Sequence, residues 1–144
     1  MRKFDSQQVM NGTWGEVWIN DSYMAQILEF KAEASLKKSE INIAMDYASH
    51  YKVTGVEYKG SMKLNKVSSF FIDLMADNIK SGRQTVCTII ASISDPDAIG
   101  SERIMIKDAT FDSLTLMDWA AKKNGEESYN FTFSDFEYLD RASE

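Results

Sequence analysis

The chain has 144 residues, of which 44% are hydrophobic and 26% charged, so it can build a packed core and is too apolar to be disordered. Its 22 acidic residues outnumber its 16 basic ones, and the net charge of −6 argues against a protein that reads nucleic-acid sequence. We therefore expect a single domain over residues 1–144 and no sequence-specific nucleic-acid partner.

The N-terminal segment, MRKFDSQQVMNG, contains no apolar run of the kind that a secretory signal needs. No stretch approaches the ~18 to 20 apolar residues of a membrane span. We expect a chain that is cytosolic when made and has no membrane span. Residues 1–12 are polar and patternless, which predicts an N-terminal arm held either by a neighbouring chain or by its own domain.

A short hairpin is predicted next. The run GEVWI at residues 15–19 is typical of a strand, and Asn20, Asp21 and Ser22 are turn formers that reverse it. Residues 28–36 then alternate strictly between apolar and polar side chains. This period of two predicts a long, half-buried strand.

A second alternating strand is predicted over residues 56–64, with Gly60 interrupting its apolar face. This glycine indicates a bulge or a close approach of another backbone. Between the two strands we interpret residues 37–54 as an extended strand-to-strand loop. Loops of this length inside a compact domain usually have a binding role.

One helix is predicted over residues 68–81. Ser68 or Ser69 can cap its start, and Gly82 can end it in a left-handed conformation. Its single apolar stripe, which we expect to pack on one side of a sheet, consists of Phe71, Leu74, Met75 and Ile79.

The remaining sequence is rich in strand signals. Residues 85–93 are apolar on both phases, which predicts a central strand covered on both faces, under the helix. Further strands are predicted at residues 102–107, 110–119 and 129–133, with turns between them. The fold class is therefore mainly β, an antiparallel arrangement with one helix.

Residues suited to catalysis are few. His50 is the only histidine, which removes multi-histidine metal sites and nearly all histidine-based catalysis. We interpret it as a surface residue, with a pH-sensitive contact as the alternative. The single cysteine, Cys87, cannot form an internal disulfide, and we interpret it as a small core residue. We expect no enzyme, no cofactor and no metal site.

The strand edges are the notable feature. Natural monomers protect the edges of a sheet with charge, proline or bulges, and this chain has one proline, Pro96. Open edges accept a strand from a neighbour, and repeated head-to-tail addition closes into a ring when the rotation allows it. The run YNFTFSDFEY carries five aromatic residues in ten, and we expect some of them to dock on a sheet face or on a neighbour.

Six short strings resemble, in their order and spacing, the XkdM-like tail tube proteins of contractile-tailed phages, PBSX-like defective prophages and diffocin-type (R-type) bacteriocins. The likeness runs from about Gly15 to Leu139. The strings are KSEINI at 38–43, HYKVTG at 50–55, KVSSF at 66–70, SERI at 101–104, FDS at 111–113 and FTFSDFE at 131–137.

The resemblance implies a β-sandwich or partly closed barrel with one flanking helix, similar to the tube protein of type VI secretion. It implies a structural protein that forms stacked hexameric rings, and thus a hollow tube inside a contractile sheath. The implied partners are further copies of the chain, the tail sheath protein, and baseplate, initiator and tape-measure proteins. The implied location is a virion tail or bacteriocin particle, assembled in the bacterial host cytoplasm.

In the family, the region bracketed by KSEINI and HYKVTG contacts the adjacent ring. Carried over to this sequence, the resemblance implies a set of residues that contact another subunit. These are Ser39, Glu40, Ile41, Asn42, Ile43, His50, Tyr51, Lys52 and Thr54.

A second hypothesis stays open: a monomeric, closed β-barrel that carries a small apolar ligand. A lined interior pocket with a mouth would favour the barrel. Exposed strand edges and a protruding loop around residues 39–54 would favour the tube. A hydrolase is the third and weakest alternative. In a tube, we expect Glu29 and Glu33, or Glu57 and Lys59, to face a lumen or solvent.

Overall fold

The structure, a computed structural model, describes residues 5–143. Within this range two short 3-10 helices, Ser6–Gln8 and Gly12–Trp14, precede eight strands and one α-helix. The strands and the α-helix are β1 (Gly15–Ile19), β2 (Ser22–Tyr23), β3 (Ile27–Ile41), β4 (His50–Asn65), α1 (Phe70–Lys80), β5 (Cys87–Ile93), β6 (Glu102–Phe111), β7 (Glu126–Thr132) and β8 (Asp135–Asp140). No helix within these described residues is long and apolar enough to cross a bilayer.

The strands form two antiparallel sheets that share β6. The order is β2-β1-β5-β6-β7-β4-β3, and β8 pairs with β6 beside this path. Arg103–Lys107 of β6 pair with β8, whereas Thr110 and Phe111 pair with β7. Because β6 changes partner along its length, the sheet of β1, β5 and β8 turns to face the sheet of β3, β4 and β7. The predicted fold, mainly antiparallel β with one helix, is confirmed.

The core lies between the two sheets and under α1. At its centre Phe71 of α1 stacks on Tyr129 of β7, with ring centroids 4.3 Å apart, and Phe111 meets both rings edge-on. Burying side chains of this size stabilises a fold by about 1.5 to 3 kcal/mol each. The buried apolar residues are Val17, Ile19, Met24, Met62, Leu64, Phe71, Met75, Cys87, Ile89, Ala91, Ile106, Ala109, Tyr129 and Phe131.

The helix ends as its sequence predicts. Gly82 has a φ of +73°, a left-handed conformation that costs glycine little. The amide of Arg83 donates to the carbonyl of Asn78 at 2.7 Å, and that of Gly82 donates to Ile79 at 3.2 Å, which together cap the last turn. The predicted span, 68–81, is two residues early at its start and one late at its end. Within the predicted stripe, Ile79 stays half exposed.

The turn between β1 and β2 and the role of Gly60 also follow the sequence. Asn20 and Asp21 have positive φ values of 47° and 69°, as a tight hairpin turn requires. Gly60 faces Phe131 of β7, and a Cβ built on it would lie 2.5 Å from the carbonyl oxygen of Lys31. Of the two interpretations offered for Gly60, the close approach is correct, because the irregularities of this hairpin lie elsewhere.

Residues 37–54 are not an extended loop. β3 continues to Ile41 and β4 begins at His50, so only residues 42–49 lie outside strands. In this part of β3 and β4 the strands are held together by backbone hydrogen bonds, and the side chains on both faces are exposed. Because neither face is buried, the sequence shows no alternation of apolar and polar residues that would mark a strand here.

Two predictions for later strands are also wrong. The strands predicted at 102–107 and 110–119 are one strand, β6, followed by residues 112–125 without regular secondary structure. The apolar residues after Phe111 suggested a strand, but only Leu114 packs on the core. On β5, Thr88 is exposed and Ile90 half-buried, so one face of this strand is buried and not both.

The first four residues of the predicted N-terminal arm, 1–12, lie outside the described residues. Of the described residues of the arm most are exposed, and its last part is bonded to its own domain. The amide of Asn11 donates to the Asp95 carboxylate at 3.0 Å, and the amide of Ser94 donates to the carbonyl of Trp14 at 3.3 Å. These bonds tie the end of the arm, and Trp14 just after it, to the turn that follows β5.

Candidate assembly surfaces

β3 and β4 extend beyond the rest of the sandwich as a two-stranded ribbon. β7 pairs with β4 only from Lys59 to Asn65, and one further bond joins the Phe133 amide to the Tyr58 carbonyl. Beyond this point, among the described residues, β3 and β4 pair only with each other. We call residues 36–56 the distal hairpin. At ~3.3 Å per residue its paired part projects about 20 Å.

The distal hairpin contains all nine residues assigned to contacts between subunits. Ser39 pairs with Lys52, Glu40 with Tyr51 and Ile41 with His50. Asn42 and Ile43 follow in the loop, and Thr54 lies at a β-bulge, its hydroxyl donating to the carbonyl of Lys37 at 3.4 Å. The structure thus brings the two sequence strings together on one projection. Their contact role stays a prediction.

One face of the distal hairpin carries an uncovered apolar pair where the hairpin leaves the domain. Leu36 and Val56 are cross-strand partners on the face that carries Phe30 and Met62 into the core, yet they are 53% and 46% exposed. A two-stranded ribbon is only marginally stable in water, and monomeric proteins seldom expose contiguous apolar patches of this kind. The other exposed apolar residues of the hairpin are Ile41, Ile43, Met45, Tyr47, Tyr51 and Val53.

The loop of the distal hairpin is closed by hydrogen bonds to Asp46. The carboxylate accepts from the Ala48 amide at 2.9 Å and from Nε2 of His50 at 2.7 Å. These two bonds, the backbone one first, lower the pKa of Asp46 below its usual value. The only histidine therefore takes part in loop closure.

β3 has a free edge. Among the described residues it pairs with β4 alone, so the opposite edge of its 15 residues is open. β8 likewise pairs only with β6, which leaves a second open margin at the other sheet. Three lysines at positions 31, 37 and 38 put charge along β3, but the only proline is in a loop. An edge of this length accepts a further strand.

The polar face of β3 and β4, on the body side of the distal hairpin, carries both positive and negative charges. Glu33 lies 3.4 Å from Lys31 and 3.8 Å from Lys59. Glu29 and Glu57 are also exposed. The polar phase of both long strands therefore faces solvent in the single chain, as expected. That it lines a lumen in an assembly stays a prediction.

A groove runs between the sheets beside the free edge of β3. It has a volume of about 500 Å³ and an apolar floor that includes Val17 and Phe30. Glu16, Glu29 and Glu102 line it as well. The groove is an unclosed gap between two open margins. Within residues 5–143 the strands do not close into a barrel around it, which argues against the ligand-carrying barrel.

The titratable groups in the interior have structural roles. Glu127 is buried, with Lys66 Nζ 2.7 Å from one oxygen and the Tyr129 hydroxyl donating to the other. Burial, helped by this bond to Glu127, raises the pKa of Tyr129 to about 12. Burial also raises the pKa of the Cys87 thiol, which is a core residue as interpreted. Residues 5–143 hold no cluster of side chains suited to a metal ion.

A second exposed apolar surface lies where the sequence predicted a strand. Leu116, Met117 and Trp119 are 75%, 79% and 77% exposed in the irregular segment after β6. We call residues 116–119 the base segment. The strand predicted here would have alternated its side chains between two faces. The available signal was the turn-rich composition of the residues that follow, which favours an irregular segment.

Comparison with known proteins agrees with this geometry. A family model described as "phage tail tube protein" matches residues 2–140. The chain is 31% identical over 141 residues to the phage-like element PBSX protein XkdM of Bacillus subtilis (strain 168), and these residues make up 96% of each chain.

Two solved structures show the same fold. The tube-terminating cap of the anti-feeding prophage matches with a TM-score of 0.70 at 9% identity, covering 96% of this chain and 95% of the other. A chain of the PVC sheath–tube complex in its extended state matches with a TM-score of 0.66 at 10% identity, covering 95% and 99%.

Proposed function

Because this chain belongs to the phage tail tube protein family, we propose that it is the non-enzymatic subunit of the inner tube of a contractile phage tail or phage-tail-like bacteriocin. In this assembly six copies form a ring, and rings stack into a hollow tube inside a sheath. One observation carries the proposal: among residues 5–143 no strand pairs with the outer edge of β3, and β3 continues into a hairpin with uncovered apolar side chains.

Strand addition joins the copies within a ring. Backbone groups of every second residue point away from β4, so a strand of 15 residues offers about seven residues for pairing. Each hydrogen bond contributes about 0.5 to 1.5 kcal/mol net, so the edge supplies several kcal/mol per neighbour. The open margin at β8 supplies a complementary edge, and repeated head-to-tail addition closes into a ring.

The distal hairpin joins one ring to the next. Its nine assigned residues, Ser39 to Ile43, His50 to Lys52 and Thr54, all lie beyond the body of the domain, where a neighbour can reach them. A neighbouring copy that covers Leu36 and Val56 removes apolar surface from water. Contacts between rings therefore stabilise the ribbon as well as the tube.

The remaining partners follow from the proposed tube. A sheath protein surrounds it, baseplate and initiator proteins start it, and a tape-measure protein occupies it during assembly in the host cytoplasm. The polar phase of β3 and β4 lines the lumen. The chain's net charge of −6 would keep such a wall from retaining DNA.

The test is light scattering on size-exclusion fractions of the purified chain, followed by electron microscopy of the same sample. The expected result is rings and tubes at high protein concentration, with tail-initiating components added where the protein alone stays small. A strictly monomeric protein that forms neither under both conditions would contradict the proposal. A monomer that instead binds a small apolar ligand would favour the barrel.

A further inference from the structure

The two exposed apolar surfaces, the distal hairpin and the base segment, lie at opposite ends of the molecule. β4 runs between them, with His50 beside the hairpin loop and Asn65 at the other end. The residue after β4, Lys66, donates its amide to the carbonyl of Gly125 at 2.8 Å. This bond holds Gly125, where the irregular segment 112–125 ends, at the far end of β4. The sixteen residues of β4, at ~3.3 Å each, span about 50 Å from the hairpin loop to this end.

The two surfaces match in chemistry. The loop of the hairpin presents Ile43, Met45 and Tyr47, and the base segment presents Leu116, Met117 and Trp119. Tyrosine, tryptophan and methionine are the types enriched at the centres of protein interfaces. Both surfaces are small and exposed in the single chain, so each lacks a cover.

Their charges are complementary as well. The three lysines of the distal hairpin, Lys37, Lys38 and Lys52, outnumber its two acidic residues, Glu40 and Asp46, and hydrogen bonds from Ala48 and His50 already engage Asp46. In the base segment Asp118 lies between Met117 and Trp119. The nearest lysines in the chain, at positions 122 and 123, lie outside the base segment and are separated from it by two alanines.

We infer that the base segment, Leu116 to Trp119, is the surface that receives the distal hairpin of a second copy of this chain in the next ring. The inference rests on the proposed tube and names the receiving side of its axial contact. Because donor and acceptor surfaces differ and face opposite ways, the contact is head-to-tail and repeats without limit. A tube of many rings follows from one such contact.

Disulfide trapping tests the pairing. Met45→Cys combined with Met117→Cys places thiols on the two surfaces, and the native Cys87 is buried and serves as the internal background. In oxidised tubes the double variant should give a ladder of chains on a denaturing gel. The matched control combines Met45→Cys with Ile79→Cys, a half-exposed position on α1, and should give no ladder.

Each outcome separates the inference from the proposed function. Tubes with a ladder only in the Met45/Met117 variant support both. Tubes in which that variant gives no ladder, or no more than the control, overturn the base segment as the receiver and leave the tube intact. If neither variant nor the unmodified chain forms tubes, the proposed function itself fails.

A substitution provides a second readout. Trp119→Ala should raise the protein concentration needed for tube formation by about tenfold or more, because it truncates the largest side chain of the receiving surface. Ring formation and the thermal midpoint should stay unchanged, since Trp119 is exposed. Ile79→Ala is the control. An equal effect of both variants, or none of Trp119→Ala, contradicts the inference.

Discussion

Truncating the distal hairpin should separate folding from stacking. Replacing residues 39–52 by Asn-Gly joins Lys38 to its cross-strand partner Val53 through a two-residue turn of the type that hairpins favour. None of the removed residues is buried, so the free energy of unfolding should change by less than about 1 kcal/mol. The core of the sandwich keeps every side chain.

The loss at the proposed contact is much larger. Five exposed apolar side chains disappear, and each would contribute about 1 kcal/mol if half of it were covered by a neighbour. A loss of about 5 kcal/mol per contact lowers the association constant between one thousand and ten thousand times. The removed side chains are Ile41, Ile43, Met45, Tyr47 and Tyr51.

The assay compares thermal unfolding by circular dichroism with electron microscopy of the same samples. The truncated chain should melt within a few degrees of the full chain and form rings but no tubes. Met45→Ser with Tyr47→Ser is the milder variant and should weaken stacking without changing the turn. Unfolding of the truncated chain would show that the hairpin belongs to the core. Tubes of normal length would show that it does not join rings.

Three further predictions concern the interior. The pKa of Tyr129 is about 12 in the fold and about 10 in an unfolded chain, so the unfolded state loses its proton first as the pH rises. About 2 to 3 kcal/mol of the free energy of unfolding should therefore be lost between pH 10 and pH 12. Chemical unfolding should show that Tyr129→Phe lacks this pH-dependent loss, and equal pH profiles for the two proteins would refute the prediction. In the same assay Gly60→Ala should lower the free energy of unfolding by about 1 to 3 kcal/mol, because the added Cβ would clash with the neighbouring strands. Gly55→Ala is the control and should be nearly neutral, since a Cβ there lies 3.8 Å from the nearest atom. Glu127→Ala leaves the buried hydroxyl of Tyr129 unpaired and should destabilise the fold by about 1 to 3 kcal/mol. Glu126→Ala, at an exposed position, should change the stability by less than about 0.5 kcal/mol. Equal effects of the two variants would refute a structural role for the buried pair.

Local signals in the sequence predicted local structure well. The turn at Asn20 and Asp21, the helix end at Gly82 and the close approach at Gly60 each depend on the conformational range or size of one residue type. The strings at 38–43 and 50–55 mark both arms of the distal hairpin, and the contact role assigned to them stays a prediction. The base segment was not found, since its apolar residues were interpreted as a strand.

Alternation along residues 28–36 and 56–64 determines which side chains share a face, and this depends only on the geometry of the extended backbone. Which side chains of that face are covered depends on parts of the chain that are distant in sequence. Phe30 and Met62 pack in the core, whereas Leu36 and Val56, on the same face, stay exposed beyond it. The amino-acid sequence alone therefore determined the apolar phase of these two strands. Only the tertiary structure decided where the cover stops, because that depends on the lengths of strands that are distant in the chain.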